Sequence, residues 1–392
     1  MSLRLRILYV AYPLLPVTEA SCGGAEQVLL TLERAMARRG HATVVAAAAG
    51  SRVAGELYRT GTPAGVPDQL AGRDAEHNRR ILQLLAADDG FDLVHDKSGT
   101  FWKCAGETDV PVLATLHLPP ALYAPEMFAA ISPNVCFNCV SESQASAFQH
   151  LPRMLGVIRN GIDLRCFPSA AAAPTTETPG HGEEQDCDFS TGMTSSVSSC
   201  FSGGSFHRGY LLWMGRICEE KAPHLALEIA ERSGWPLVLA GSVYPFSYHQ
   251  QYFEREIVPR LKRNPWALSI ESPGFSDKVG LLRNARALLV TSVIAETSSL
   301  VAIEAMACGT PVVGFRRGAL PEVVASGRTG FLVDSLDEML AALDRVREIA
   351  PRAGRERVER CFSAERMASD YERIYQHLLN CFSGIQEELR AA

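Results

Sequence analysis

Short apolar runs rich in β-branched residues alternate with stretches of helical period from the start of the chain. ILYVAY at 7–12 is followed by AEQVLLTLERAMARRG and then by ATVVAAAAG. Leu29, Leu30, Leu32 and Met36 give the middle stretch one apolar face, and Gly40 supplies its stop. FDLVHD, PVLATLH, VCFNCVS and LGVIRNG continue the alternation to Pro168, with helix-length pieces between them. Strands joined by helical crossovers pair in parallel, so residues 1–168 read as a doubly wound α/β domain.

The pattern is interrupted once. Of the 40 residues from Ser169 to Arg208, 18 are Ser, Thr or Gly, with almost no large aliphatic side chains. Such a stretch buries too little surface to offset its ordering entropy, so 169–208 reads as a disordered linker. Alternation restarts with YLLWMGR and runs through PLVLAG, ALSI, ARALLVTS and TPVVGF, giving a second α/β domain over 209–370. A last helix, 371–392 within AERMASDYERIYQHLLN and beyond, closes the chain. Two doubly wound domains predict a ligand cleft between the C-terminal ends of two parallel sheets.

With 47% hydrophobic and 21% charged residues over 392 positions, the chain has the makeup of a globular protein of two to three domains. Its net charge of -6 offers no basic field for a nucleic-acid backbone. Pro13 and Pro16 break the first apolar run, which therefore reads as a buried strand rather than a signal peptide. No later stretch is long and apolar enough to span a bilayer. Arg34, Arg38 and Arg39 make at most a peripheral membrane face. Eleven cysteines at irregular spacing predict reduced thiols and a cytoplasmic setting. Cys136 and Cys139 form CFNC without a second ligand pair, and read as small buried thiols.

AETSSLVAIEAMACGTPVVGF, beginning at Ala295, places Glu296 and Glu304 eight positions apart in apolar text. Thr297, Ser298 and Ser299 are N-cap types ahead of the helical run LVAIEAMA, whose first turn suits a phosphate. Glu296 in the loop can accept hydrogen bonds from a sugar, and Glu304, about one and a half turns on, from a ribose diol. The alternative is that Glu296 only favours the helix start while Glu304 pairs with a basic neighbour on a solvated face. Arg216 at a strand end and Lys221 beyond it can grip a diphosphate, or pair with Glu219 and Glu220. Gly23 and Gly24 in SCGGAEQ would let backbone approach a phosphate. His117 ends PVLATLH and His95 with Asp96 ends FDLVHD, where catalytic groups project, although structural hydrogen bonding is the commoner role of a histidine. The second strand lacks the terminal acid of a dinucleotide fold, which disfavours a nicotinamide dehydrogenase.

These motifs, in this order, resemble the family-4 retaining glycosyltransferases of the GT-B fold. The resemblance rests on Glu296 through Glu304 and AMACGTPVVGF, on GALPEVVASGRTGFLVD, MGRICEEK, GGAEQ, TLH and RNGID, and covers nearly all the chain outside 169–208. It implies two Rossmann-like domains facing a central cleft and transfer of a hexose from a nucleotide diphosphate sugar to an acceptor hydroxyl. Arg216 and Lys221 would hold the diphosphate, Glu304 the ribose, Glu296 and His117 the donor sugar. Amides at Ser299 and Leu300 would meet a phosphate beside Thr297 and Ser298, with Gly23 and Gly24 closing from the first domain. The turn at Pro273 and Gly274 would meet the base, and the last helix, 371–392, would cross back to pack on the first domain. Relatives often carry an aromatic and a glycine where this chain has Ser298 and Ser299, and glycine where it has Glu271. Serine hydroxyls can cap the helix themselves, while backbone approach to the donor is less free than with glycine.

Retention without a dedicated carboxylate nucleophile follows from the resemblance, the leaving phosphate taking the acceptor proton. No DxD-like acid pair stands where a bridging metal would need one, so no metal or other cofactor is expected. Uridine diphosphate sugars come first as donors and guanosine diphosphate mannose second. The acceptor, a saccharide, a lipid-linked sugar or a small molecule, has no readable signature in Gly50 to Asn78. Rival readings are a GT-B sugar-nucleotide epimerase or hydrolase, and a non-catalytic sugar-nucleotide-binding protein.

Overall fold

The computed structural model describes residues 4–19, 21, 23–64, 69–168 and 209–391. The stretch 169–208, expected as a linker, lies outside the described residues. The chain forms two compact units, one of Met1–Ile162, Ala295–Ser298 and Phe362–Ala392, the other of Asp163–Ile294 and Ser299–Cys361. Both crossings fall earlier than the 168 and 370 boundaries expected from the sequence, because the crossing segments pair with each other. The Ile162 amide donates to the Phe362 carbonyl (2.9 Å) and the Ala364 amide to that of Ile162 (2.9 Å).

In chain order the strands and principal helices are β1 (Arg6–Val10), α1 (Gly24–Arg38), β2 (Ala42–Ala47), β3 (Glu56–Arg59), α2 (Leu70–Ala87), β4 (Leu93–Asp96), β5 (Val112–Thr115), β6 (Val135–Cys139) and β7 (Met154–Val157). The second unit adds β8 (Tyr210–Arg216), α3 (Pro223–Ser233), β9 (Leu237–Ser242), α4 (Ser247–Tyr252), β10 (Ala267–Glu271), α5 (Phe275–Asn284), β11 (Ala285–Val290), α6 (Leu300–Ala307), β12 (Val312–Phe315), β13 (Gly330–Val333), α7 (Leu336–Arg345) and α8 (Pro351–Cys361). The last helix, α9 (Ala364–Ala391), belongs to the first unit.

The first sheet has seven strands in the order β3-β2-β1-β4-β5-β6-β7 and the second six in the order β10-β9-β8-β11-β12-β13. All pairings are parallel. Central strands covered on both faces need apolar side chains at every position, which is why ILYV and YLLW read as unbroken runs. The strand order reverses between β1 and β4 in one unit and between β8 and β11 in the other, the places where such sheets leave a crevice.

The start of α9 seals the first sheet. Tyr371 and Tyr375 are fully buried, and the Tyr375 hydroxyl lies 2.6 Å from Nδ1 of His95. Thr115 Oγ1 lies 2.7 Å from the other ring nitrogen. With both nitrogens engaged and burial holding it neutral, His95 has the structural role of the two considered for it.

Candidate functional site

In the second unit the site is built on the loops after β8 and β11, which leave adjacent strands. Arg216 ends β8 with an exposed side chain whose guanidinium sits 5.4 Å from the centre of the Tyr244 ring. Glu219–Lys221 form a single 3-10 turn, and left-handed Ala222 (φ 48°) separates it from Pro223 at the start of α3. Lys221 therefore stands ahead of the helix rather than within it. Thr291 Oγ1 donates to the carbonyls of Lys221 (3.0 Å) and Ala222 (2.9 Å), and the Val293 amide to that of Glu220 (2.9 Å). These bonds fasten the two loops together.

Ser299 is the N-cap of α6, but its hydroxyl does not cap it. At φ -119° and ψ 84° the residue departs from the extended geometry in which a serine reaches the second or third amide. Its Oγ is buried without a partner. Ser299, of a residue type that can cap, thus makes no cap here, and the first turn begins at Leu300 without one from its N-cap residue. Uncapped first-turn amides and the helix dipole favour an anion.

Glu304 lies deep in the same helix, 4% exposed, and its Oε1 accepts from Lys278 Nζ of α5 at 2.5 Å. Burial pushes its carboxyl up, opposed by Lys278. A basic partner was one of the two readings of this acid, but the pair is buried rather than solvated. Lys278 itself was missed, since 26 residues and a strand separate the partners in sequence. Gly274 is the N-cap of α5, preceded by Pro273 and by Ser272 in the left-handed region (φ 47°). Glu271 is exposed at the end of β10.

In the first unit, Gly23 caps α1 with extended backbone and Gly24 is its first residue. Neither has a positive φ. Glu26 lies against Gly23: a Cβ there would stand 1.9 Å from its Oε2, the far end of a flexible side chain that a larger residue would displace. Glu26 is 6% exposed and burial pushes its carboxyl up. An acid thus covers the glycine expected to meet a phosphate. Its letter stands in GGAEQ, yet spacing gave no sign that it folds back over Gly23.

His117 follows β5. Its Nε2 is buried without a partner, and burial together with the Lys97 cation holds the ring neutral. Its carbonyl accepts from Thr297 Oγ1 at 2.7 Å, which joins the Ala295–Ser298 segment to this strand end. That segment carries Glu296, 9% exposed, and Ser298. Cys136 and Cys139 are buried in β6, their thiols pushed up by burial to about 11 and about 12, as inert thiols would be. Among the described residues no helix is long and apolar enough to cross a membrane.

Residues 22–165 match the family model described as Glycosyltransferase Family 4, and residues 208–348 the model described as Glycosyl transferases group 1. N-acetyl-alpha-D-glucosaminyl L-malate synthase of Bacillus anthracis is 39% identical over 93 residues, 21% of this chain and 24% of that protein. D-inositol 3-phosphate glycosyltransferase of Saccharomonospora viridis is 26% identical over 324 residues, 76% of this chain and 73% of that one. The matches thus span less than a quarter of the first relative and under three quarters of the second. Among solved structures, Anabaena Alr3699/HepE in complex with UDP and glucose shares the fold, with a TM-score of 0.71 and 15% identity over 95% of this chain and 100% of that one. Two parallel-sheet units carrying the two matched domains in sequence order make this chain a member of the family-4 glycosyltransferases of the GT-B fold.

Proposed function

We propose that the protein transfers a hexose from a nucleotide diphosphate sugar to an acceptor hydroxyl, with retention at the anomeric carbon and without a metal ion, in the cytoplasm. The observation that carries this reading is the uncapped start of α6 in the loop after β11, fastened to the Arg216 loop of β8 at the reversal of strand order. A guanidinium, an ammonium and open helix amides at one sheet edge suit a diphosphate leaving group.

Arg216 and Lys221 hold the two phosphates, and the amides at Ser299 and Leu300 take a phosphate oxygen near Thr297 and Ser298. Glu304 turns Oε2 to the ribose while Oε1 stays with Lys278. The turn at Pro273 and Gly274 meets the base. Glu296 accepts from the donor sugar, and the unpartnered Nε2 of neutral His117 bonds a sugar hydroxyl. Gly23 and Gly24 reach phosphate only after Glu26 leaves the face of Gly23. The phosphate oxygen that departs takes the acceptor proton as the new bond forms on the same face, so charge on the diphosphate is what the protein must stabilise. UDP sugars are the first candidate donors, supported by the UDP and glucose held by the Anabaena relative, and GDP-mannose is the second.

The test is thermal stabilisation by UDP-glucose, UDP-N-acetylglucosamine and GDP-mannose, with Arg216→Ala alongside, followed by assignment by NMR of the first-formed anomer. One donor should stabilise the wild type and not the variant, whose turnover should fall by ~10²-fold or more. An inverted product, or activity lost to a chelator and restored by magnesium, would overturn the mechanism.

A further inference from the structure

Three side chains that the transfer reaction does not use converge beside the β8 loop. Cys218 follows that strand by two residues, Glu220 lies in the 3-10 turn, and His249 comes from α4. Parallel pairing of β8 with β9, in which Arg216 stands opposite Ser242, brings the two strand-end loops together. One ligand atom from each residue, the thiol sulfur, a carboxylate oxygen and an imidazole nitrogen, lies within 4.8 Å of the other two. Among the described residues this is the single group of its kind.

A second observation points to an occupant. His249 is 0% exposed, with its ring packed against Phe246 (5.1 Å between centroids) and Tyr248 (4.3 Å), yet neither Nδ1 nor Nε2 has a hydrogen-bond partner. Glu220 Oε2 is likewise buried and unpartnered. The Cys218 sulfur, also 0% exposed, makes a weak contact at 3.6 Å with the Arg216 carbonyl and is bonded besides to the Lys221 amide, the Arg216 side chain and Glu220. An imidazole buried with both nitrogens idle is costly, and a cation shared with the Cys218 sulfur removes that cost for His249 and for Glu220 Oε2 at once.

We propose that Cys218, Glu220 and His249 form a three-ligand zinc site. A thiolate and an imidazole select a borderline-soft cation over magnesium, and one sulfur, one nitrogen and one oxygen are ordinary zinc ligands, with water completing the tetrahedron. Thiolate and carboxylate neutralise the dication, and the thiol proton is released on binding. The ion ties the β8 loop to α4. Zinc at this place is independent of the transfer reading: it neither bridges the donor phosphates nor replaces Arg216.

The full chain, stripped with a chelator, is titrated with zinc against a chromophoric competitor and separately with cobalt. One zinc per chain is expected, together with a sulfur-to-cobalt charge-transfer band. Cys218→Ser should abolish the band, and His249→Gln should weaken zinc by at least roughly tenfold, the loss typical of even an outer partner. Cys381→Ser, at an exposed thiol, should change neither. Absence of stoichiometric zinc binding, or wild-type affinity in both ligand variants, overturns the proposal. Should those variants misfold, zinc-edge absorption of the wild type decides: one sulfur among lighter ligands supports the site, and none or several refutes it.

Discussion

Replacing Lys278 by methionine isolates the buried pair beneath α6. The side chains of Lys278 and Glu304 are 13% and 5% exposed, and their charged atoms are 2.5 Å apart. At that distance and an effective dielectric of about 20, the attraction is about 7 kcal/mol. Solvent reaching the lysine side and protonation of the stranded acid return part of it, so the expected loss at pH 8 is about 3–5 kcal/mol. The loss should depend on pH in a definite direction. Burial already raises the Glu304 carboxyl above its unfolded value, and removing the cation raises it further. A raised carboxyl favours folding at low pH and loses that contribution as pH rises, so the variant should recover on acidification by up to about 1.4 kcal/mol per pH unit within the window. Glu304→Gln in the same chain should abolish the pH dependence. Trp213, Trp235 and Trp266 lie in the second unit and Trp102 in the first, so tryptophan fluorescence of the chain in a Trp102→Phe background, during urea unfolding at pH 6 and pH 8, reports on the second unit. A loss below about 1 kcal/mol, or an equal loss at both pH values, would refute a charge-paired Glu304.

Ser299→Ala should change stability by no more than about 0.5 kcal/mol, against about 1 kcal/mol for a working N-cap, because its hydroxyl has no partner; the same urea assay reads it. Gly354→Ala would set a Cβ 2.8 Å from the Met306 carbonyl where α8 packs on α6, and should cost about 1–3 kcal/mol by thermal unfolding. His77, held at about 4 by burial against an ordinary value of 6.5, stays neutral while the unfolded chain takes a proton. Stability of the first unit should therefore be full above pH 6.5 and decline as pH falls toward 4, less steeply in His77→Phe, as pulse proteolysis across urea at pH 7.5 and pH 5 can measure.

The architecture was legible because parallel strands covered on both faces leave unbroken apolar runs, and each run named above became a strand. Glycine stops and helical period marked the crossovers in the same way. What was legible of the candidate site is where its residues stand on their elements: Arg216 at the end of β8, His117 just after β5, Ser299 ahead of α6. A residue's role was not legible where it depends on a contact that local pattern does not encode, whether near or far along the chain. Nothing in LVAIEAMA announces Lys278, nothing in GGAEQ says that Glu26 folds back over Gly23, and His95 found its partner 280 residues away in Tyr375. Cap residues failed for a different reason, since Ser299 has the right side chain on a backbone turned away from capping.

Because α9 supplies Tyr371 and Tyr375 to the core of the first unit, that core is assembled from both ends of the described chain. During synthesis, β1 to β7 leave the ribosome long before the helix that covers His95, whereas every residue of the second unit precedes that helix. The order of birth is then the reverse of the order of completion: the unit begun first is finished last. A chain truncated after residue 361 would carry a whole second unit beside a first sheet whose His95 imidazole lies open to water.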